Sequence, residues 1–311
     1  MIRRGSAGLV LVAVLALVVA ARSEPAARTP AAAPLLWQGL LGAHQVSLFG
    51  TIHVPDPRVL ALSPPVRVAF DRADRVVTEI PLDGAQQAEL AAALVLPDGQ
   101  RLRAIVGEAM FARLEARVRA ALTPIAPEMA PLVAGMLDRL KPWAALSQLA
   151  TLEYLPDLLA GRTPLDVKLY GEAVAAGKKV GGLETVAEQA GTFDAFSPEE
   201  QATLLDEALR DFEAPAGPTG KQLVEWYLEG NGDKLAAALS QGSRNDALAR
   251  KFEAEVLVKR NHRMADRIDD LRRDAPGETL FVAVGALHLV GSDNLPQLLQ
   301  ARGYEISRVR P

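Results

Sequence analysis

Two short apolar runs stand out along the chain, Val46-Ser47-Leu48-Phe49-Gly50 and Leu280-Phe281-Val282-Ala283-Val284, each of strand length and each bounded by turn residues. Runs of this kind read as strands buried within a sheet. Residues 35–38 and 46–50 pair as a hairpin through the polar, glycine-bearing segment Gly42-Ala43-His44-Gln45. Arg75-Val76-Val77-Thr78-Glu79-Ile80 is a short β-branched strand stopped by Pro81, residues 178–184 form another that ends in Glu184, and residues 304–309 form the last. The segments between them carry helical spacing. Residues 59–73 read as a helix entered through Ser63-Pro64-Pro65. Leu102, Ile105, Val106, Met110, Leu114, Val118 and Leu122 then recur at three- and four-residue intervals, a stripe that core packing explains. Helices follow over 128–140, 143–159, 165–176, 198–212, 220–239, 244–273 and 294–302, and Ser197-Pro198-Glu199-Glu200 is a strong helix start. Strands alternating with helices predict an α/β fold: a central mixed β-sheet flanked by helices, with a helical insertion at about 86–176 acting as a cap.

Composition narrows the class. Hydrophobic content of 49%, charged content of 23% and a net charge of −4 describe a soluble globular chain without the basic face that nucleic acid requires. Cysteine is absent, which removes disulfides, thiolate nucleophiles and sulfur-ligated zinc together. Arg3 and Arg4 precede an apolar stretch over 7–20, so residues 1–23 read as a signal peptide cleaved near Ser23, short of the roughly 20 apolar residues of a membrane anchor. Residues 24–34 read as a disordered spacer and 35–311 as the α/β domain. The expectation is an exported protein, periplasmic or secreted, with no stable membrane anchor.

The chemistry centres on a repeated pattern. Of four histidines, two close the same motif: Gly50-Thr51-Ile52-His53 and Gly285-Ala286-Leu287-His288. With Glu79 and Glu184 they make four polar strand ends, and ligand sites in α/β sheets lie outside the carboxyl ends of the strands. Two imidazoles with one or two carboxylates suit a divalent Zn, Mn, Fe or Co. Each glycine is expected to let the backbone turn sharply and aim its histidine inward. Blander readings stand beside this one: either histidine is a satisfied structural residue, Glu79 caps a neighbouring helix, and Glu184 opens a helix at Thr185. His44 falls in the predicted turn and reads as solvated, and His262 reads as surface. Arg260 and Asn261 follow Val256-Leu257-Val258 and point either at the sheet edge or into solvent. The sequence has no His-Glu-x-x-His, Gly-x-Ser-x-Gly or Walker motif.

Taken together these residues resemble the TraB/GumN family, related to the Tiki proteins and more distantly to erythromycin-esterase-like and ChaN-like α/β proteins. The resemblance runs from about 36 to 309 and rests on Phe49-Gly50-Thr51-Ile52-His53-Val54, the strand ending at Glu79, Leu165-Asp166, Gly177 through Thr185, Glu188-Gln189, Arg260-Asn261, Val284 through Gly291 and Gly303-Tyr304. Leu287 departs from it, standing where a smaller residue is expected. The resemblance implies a metal-dependent hydrolase with both histidines and a glutamate at the site. Tiki-like members act as peptidases using Mn or Co, whereas ChaN-like relatives bind haem iron. The expected mechanism has His53 and His288, with Glu79 or Glu184, holding one divalent metal (Mn, Co or Zn). The other glutamate serves as general base, and Arg260 or Asn261 steadies an oxyanion. The substrate is a peptide or small molecule. The rivals are a periplasmic haem- or metal-binding protein without turnover and a purely structural role for the histidines.

Overall fold

β5, Leu280–Gly285, is buried along nearly its whole length because parallel neighbours flank it and side chains pack on both its faces. The structure, a computed structural model, describes residues 33–310 apart from 216 and 242–244. The expected signal peptide and all but the end of the expected spacer lie outside the described residues. Six strands form one mixed sheet: β1 Leu36–Leu41, β2 His44–Thr51, β3 Arg75–Thr78, β4 Lys179–Gly182, β5 and β6 Glu305–Arg308, in the order β4-β3-β5-β2-β1-β6. The run β4-β3-β5-β2 is parallel, and β1 pairs antiparallel with both β2 and β6. The expected α/β fold, a mixed sheet with flanking helices, is the fold observed.

Alternation along the two apolar runs explains why both faces are covered. Val46, Leu48, Leu280, Val282 and Val284 share one face with Met264, Ala265 and Ile268 of the helix Lys259–Asp274 and with Leu295 and Leu299 of the helix Leu295–Ala301. Phe49 and Phe281 alternate to the other face, where their rings lie 5.8 Å apart and Phe70 meets Phe281 edge-on at 5.5 Å. The helix Pro64–Arg72 carries Phe70 and starts after Ser63 at the proline signal, but the expected helix over 59–73 is interrupted at 61–63, leaving Val59 and Leu60 in the separate short helix Pro57–Leu60.

The chain divides into two units. Of the described residues, the sheet unit contains 33–83, 163–192 and those from 217 to 310, and a helical unit contains 84–162 and 193–215. In the helical unit, Arg113 of the helix Glu108–Leu122 pairs with Asp206 and Glu213 of the helix Pro198–Glu213, and Trp143 stacks on Phe193 at 4.8 Å. Ser197 and Glu200 close a full capping box at the start of Pro198–Glu213. The helix Leu165–Ala175 belongs to the sheet unit and packs on β3 and β4. No described helix is long and apolar enough to cross a membrane.

Further local readings change. His44 is 2% exposed, not solvated: the hairpin turns within Gly42-Ala43, with Gly42 at φ 59°, so His44 already pairs with Leu41 as the first residue of β2 and lays its ring edge-on to Tyr304. The expected helix over 220–239 breaks at Gly230, φ 67°, into Gly220–Leu228 and Gly232–Gln241. The expected helix over 244–273 contains a π-helical turn, Glu253–Val258, between Asp246–Phe252 and Lys259–Asp274.

At the carboxyl edge of the sheet, Gly182 packs directly against the segment that follows β3. A Cβ at that position would fall 2.4 Å from Pro81 Cδ and 2.8 Å from the Ile80 carbonyl carbon. Gly182→Ala is therefore expected to cost about 1–3 kcal/mol through overpacking. Urea denaturation followed by a probe in the sheet unit checks it; an unchanged midpoint contradicts the close approach.

Candidate metal centre

Pairing β2 with β5 in parallel, with Thr51 opposite Gly285, brings the two Gly-x-x-His segments side by side. β3 lies on the far side of β5 and ends at Thr78 opposite Ala283, two residues before β5 ends, and β4 follows β3. All four predicted strand ends therefore share one edge of the sheet. Past β2 a tight turn, Val54 N–H to the Ile52 carbonyl at 2.8 Å, is followed by Pro55, and His53 stands at the mouth of the site with its side chain 55% exposed. Past β5 the 3₁₀ turn Ala286–Leu289 carries His288 inward, where its side chain is 4% exposed. Glu79 follows β3 and is 11% exposed.

These three side chains converge. His53 Nε2 and His288 Nε2 each lie 3.8 Å from the same oxygen, Glu79 Oε1. The opposite ring nitrogens face oxygens too: His288 Nδ1 lies 2.6 Å from Asn261 Oδ1, and His53 Nδ1 lies 3.1 Å from Asp166 Oδ1. Asn261 is itself oriented, because its amide donates to the Asp293 carbonyl at 2.9 Å. With Nδ1–H given to Asn261, His288 keeps a bare lone pair on Nε2, and burial pushes its pKa down to about 4. The Asp166 charge is the largest cause raising His53 to about 9.

The two glycines serve a different purpose from the one expected. Neither has a positive φ; each provides room. A Cβ on Gly50 would fall 3.1 Å from Ala286 Cα and from Leu35 Cβ. One on Gly285 would sit 3.1 Å from Glu79 Oε1, 3.6 Å from His288 Cδ2 and 3.7 Å from His53 Nε2, in the middle of the converging groups.

Beneath this cluster lies a buried ion network. Glu79 Oε2 accepts from Arg260 Nη2 at 2.6 Å and from Gln189 Nε2 at 3.1 Å, while Oε1 accepts the Gly285 N–H at 2.7 Å. Glu184, 0% exposed, takes Arg260 Nε at 2.9 Å and Nη2 at 2.7 Å on one oxygen, and Arg263 Nη2 at 2.6 Å on the other. Burial acts to raise the Glu79 pKa, but the Arg260 charge, then His288 and His53, outweigh it and hold the carboxyl ionised well below the usual range. Arg260 and Asn261 are adjacent on Lys259–Asp274, yet both are buried and diverge, Arg260 to the carboxylates and Asn261 to His288. The π-helical turn just before them sets that rotation, a common use of such turns.

Of the six residues predicted from sequence, His53, His288 and Glu79 meet at one point. Glu184 does not face the histidines; both its oxygens are occupied by arginines. Arg260 spends its donors on the two glutamates and the Val256 carbonyl, and Asn261 holds an imidazole, so neither faces an open position for an oxyanion. His262 is exposed, as expected. Asp166, Gln189 and Arg263 belong to the site and were not assigned roles from the sequence. The only signal for Asp166 and Gln189 was their place in the ordered motifs.

The donor chemistry fits a divalent cation. Two donors each about 2.1 Å from one ion can stand at most about 4.2 Å apart, and 3.8 Å corresponds to an angle of about 130° at the ion. Among the described residues no group of three or more His, Asp or Glu side chains already has the spacing of a closed ligand set. Binding therefore requires the two imidazoles to draw in toward Glu79, and the space a Gly285 Cβ would fill is open for it.

Residues 35–308 match the model of the TraB/PrgY/gumN family. The chain is 25% identical over 295 residues to Metalloprotease TIKI1 of Danio rerio, covering 83% of this chain and 60% of the relative. It is 27% identical over 303 residues to Metalloprotease TIKI2 of the same fish, covering 85% and 58%, and 25% identical over 303 residues to the Metalloprotease TIKI homolog of Nematostella vectensis, covering 85% and 64%. The chain thus spans about 60% of the length of these curated relatives. No solved structure matches it.

The ion network makes a prediction independent of any metal. Glu184→Gln leaves Arg260 with half its compensation in a buried position, and breaking such a pair costs about 3–5 kcal/mol. Chemical denaturation at neutral pH measures it; a loss below about 1 kcal/mol would mean that Glu79 alone compensates the buried guanidinium.

Proposed function

We propose a function from one premise: the chain belongs to the TraB/PrgY/gumN family. The protein is an exported metal-dependent peptidase in which His53, His288 and Glu79 hold one divalent cation, Mn, Co or Zn. One observation carries this reading: two imidazoles turn Nε2 toward a single carboxylate oxygen while each Nδ1 faces a side-chain oxygen. That arrangement of outer acceptors behind histidine ligands is the usual companion of a metal centre. The three relatives are named as metalloproteases, which agrees with it.

A bound divalent ion supplies Lewis acidity toward a peptide carbonyl and lowers the pKa of a coordinated water. The chain's own residues do the rest. Arg260 and Gln189 hold Glu79 by Oε2, keep it ionised and present Oε1 to the centre. Asn261 fixes the His288 tautomer. Glu184 acts one layer away by aligning Arg260, and Glu79 is the carboxylate that touches the reacting centre. The absence of a side chain at Gly285 leaves the space that the ion and a substrate oxygen require.

Metal analysis of the purified protein beside His53→Ala and His288→Ala tests the centre. The wild type is expected to hold one equivalent, and each variant to lose more than about 100-fold in affinity. Metal content and metal-dependent stabilisation that persist in both variants would sink the proposal. Gly285→Ala, whose Cβ would crowd Glu79 Oε1 at 3.1 Å, is expected to bind metal at least about tenfold more weakly. For activity, a broad peptide library is incubated with Mn, Co or Zn. Cleavage that both histidine substitutions abolish is expected. Stoichiometric metal without cleavage, or a Soret band on adding haem, favours a binding protein instead.

A further inference from the structure

The two histidines of the site are held unequally. His288 is 4% exposed and clamped by Asn261, which is anchored in turn on the Asp293 carbonyl. His53 is 55% exposed and rides a turn that runs into Pro55. An imidazole in water populates several rotamers, so an exposed ligand needs something fixed to hold it. Among the described residues the His53 ring has two ion-pair contacts: Glu79 Oε1 3.8 Å from Nε2, and Asp166 Oδ1 3.1 Å from Nδ1.

We propose that Asp166 is the positioning residue for His53, holding the Nδ1 side of the ring so that Nε2 faces Glu79 and completes the donor set. This rests on the metal-centre reading and names the part that makes its exposed half rigid. The ordinary explanation of Asp166 is its place in the first turn of Leu165–Ala175, where an acidic residue meets the positive end of the helix. Two observations go beyond that. Its side chain is 19% exposed, and Oδ1 is a buried oxygen with no hydrogen-bonded partner among the described residues apart from the close approach of His53. An acidic residue serving only the helix end would turn its oxygens to the amides or to water. The helix also packs on β3 and β4, the strands that end in Glu79 and Glu184, so it transmits the rigidity of the sheet to a ring that the turn alone leaves loose. A carboxylate on Nδ1 further makes Nε2 a stronger donor.

The test compares wild type, Asp166→Asn and Asp166→Glu as full-length purified protein, using Co(II) as the probe and its visible absorption as the signal. Asp166→Asn is expected to weaken Co(II) binding by about 10–100-fold and to speed its loss to a chelator by a similar factor. The metal-free unfolding midpoint should stay unchanged, and Asp166→Glu should recover most of the affinity. In the metal-free proteins, the His53 ring signals in a ¹H–¹³C spectrum should be distinct in the wild type and move to the free-histidine position in Asp166→Asn. Wild-type affinity and release in Asp166→Asn, with unmoved ring signals, would overturn the proposal. A metal-free midpoint that falls while the ring signals stay put would assign Asp166 to the helix end and overturn it equally. If the wild type takes up no Co(II) yet the ring signals move in Asp166→Asn, the metal centre fails and the positioning role stands.

Discussion

Arg260 is the residue on which the rest of the site depends. Its guanidinium lies between Glu79 and Glu184, two carboxylates brought to one edge by neighbouring parallel strands. Neither carboxylate tolerates burial without a counter-charge, and the desolvation cost of an isolated buried ion is several kcal/mol. Sharing one always-ionised group between them solves both problems and fixes the spacing of the strand ends. Buried ion clusters are weak sources of net stability, so the arrangement is better understood as a means of setting geometry. It leaves one oxygen of Glu79 turned toward the histidines and commits the other. Arg263 closes the remaining side of Glu184, so the ionised layer ends there.

A division of labour follows from that arrangement. The inner layer of Glu184, Arg260 and Arg263 is saturated and mostly out of solvent, whereas the outer layer of His53, His288 and Glu79 turns two ring nitrogens toward one carboxylate oxygen. Glycines maintain the boundary between the two. Gly182 lets β4 approach the segment after β3 closely enough for Glu184 to reach Arg260, and Gly285 keeps the common point open. Side chains are excluded from both positions for reasons of volume, with no demand on backbone conformation.

Much of this was legible in the chain. The apolar runs at 46–50 and 280–284 predicted buried strands, and the ends of four strands predicted the edge where His53, Glu79, Glu184 and His288 lie. What periodicity missed was physical and local. A π-helical turn adds a residue without any compositional mark, so the inward rotation of both Arg260 and Asn261 was undecidable from their spacing. A two-residue hairpin rather than a longer turn buried His44. Partner choice was the hardest to read: Glu184 and Glu79 look alike as strand-end carboxylates, and only the reach of Arg260 and Arg263 separates a saturated counter-ion from a group at the centre. Asp166 faces His53 across a long stretch of chain, and no short-range pattern reports such a contact.

The strand order has a further consequence, for the timing of assembly. β5 comes from residues 280–285 near the end of the chain, yet it lies between β3 and β2 in the middle of the sheet. Until it inserts, β2 and β3 have no common neighbour, Glu79 lacks the Gly285 amide, and His288 is absent from the edge. Contacts this distant in sequence form late because the loop entropy must be overcome first. A chain emerging N-terminus first therefore lacks both the Gly285 amide and His288 at every length short of β5, and this edge is complete only when the last strands have closed the sheet.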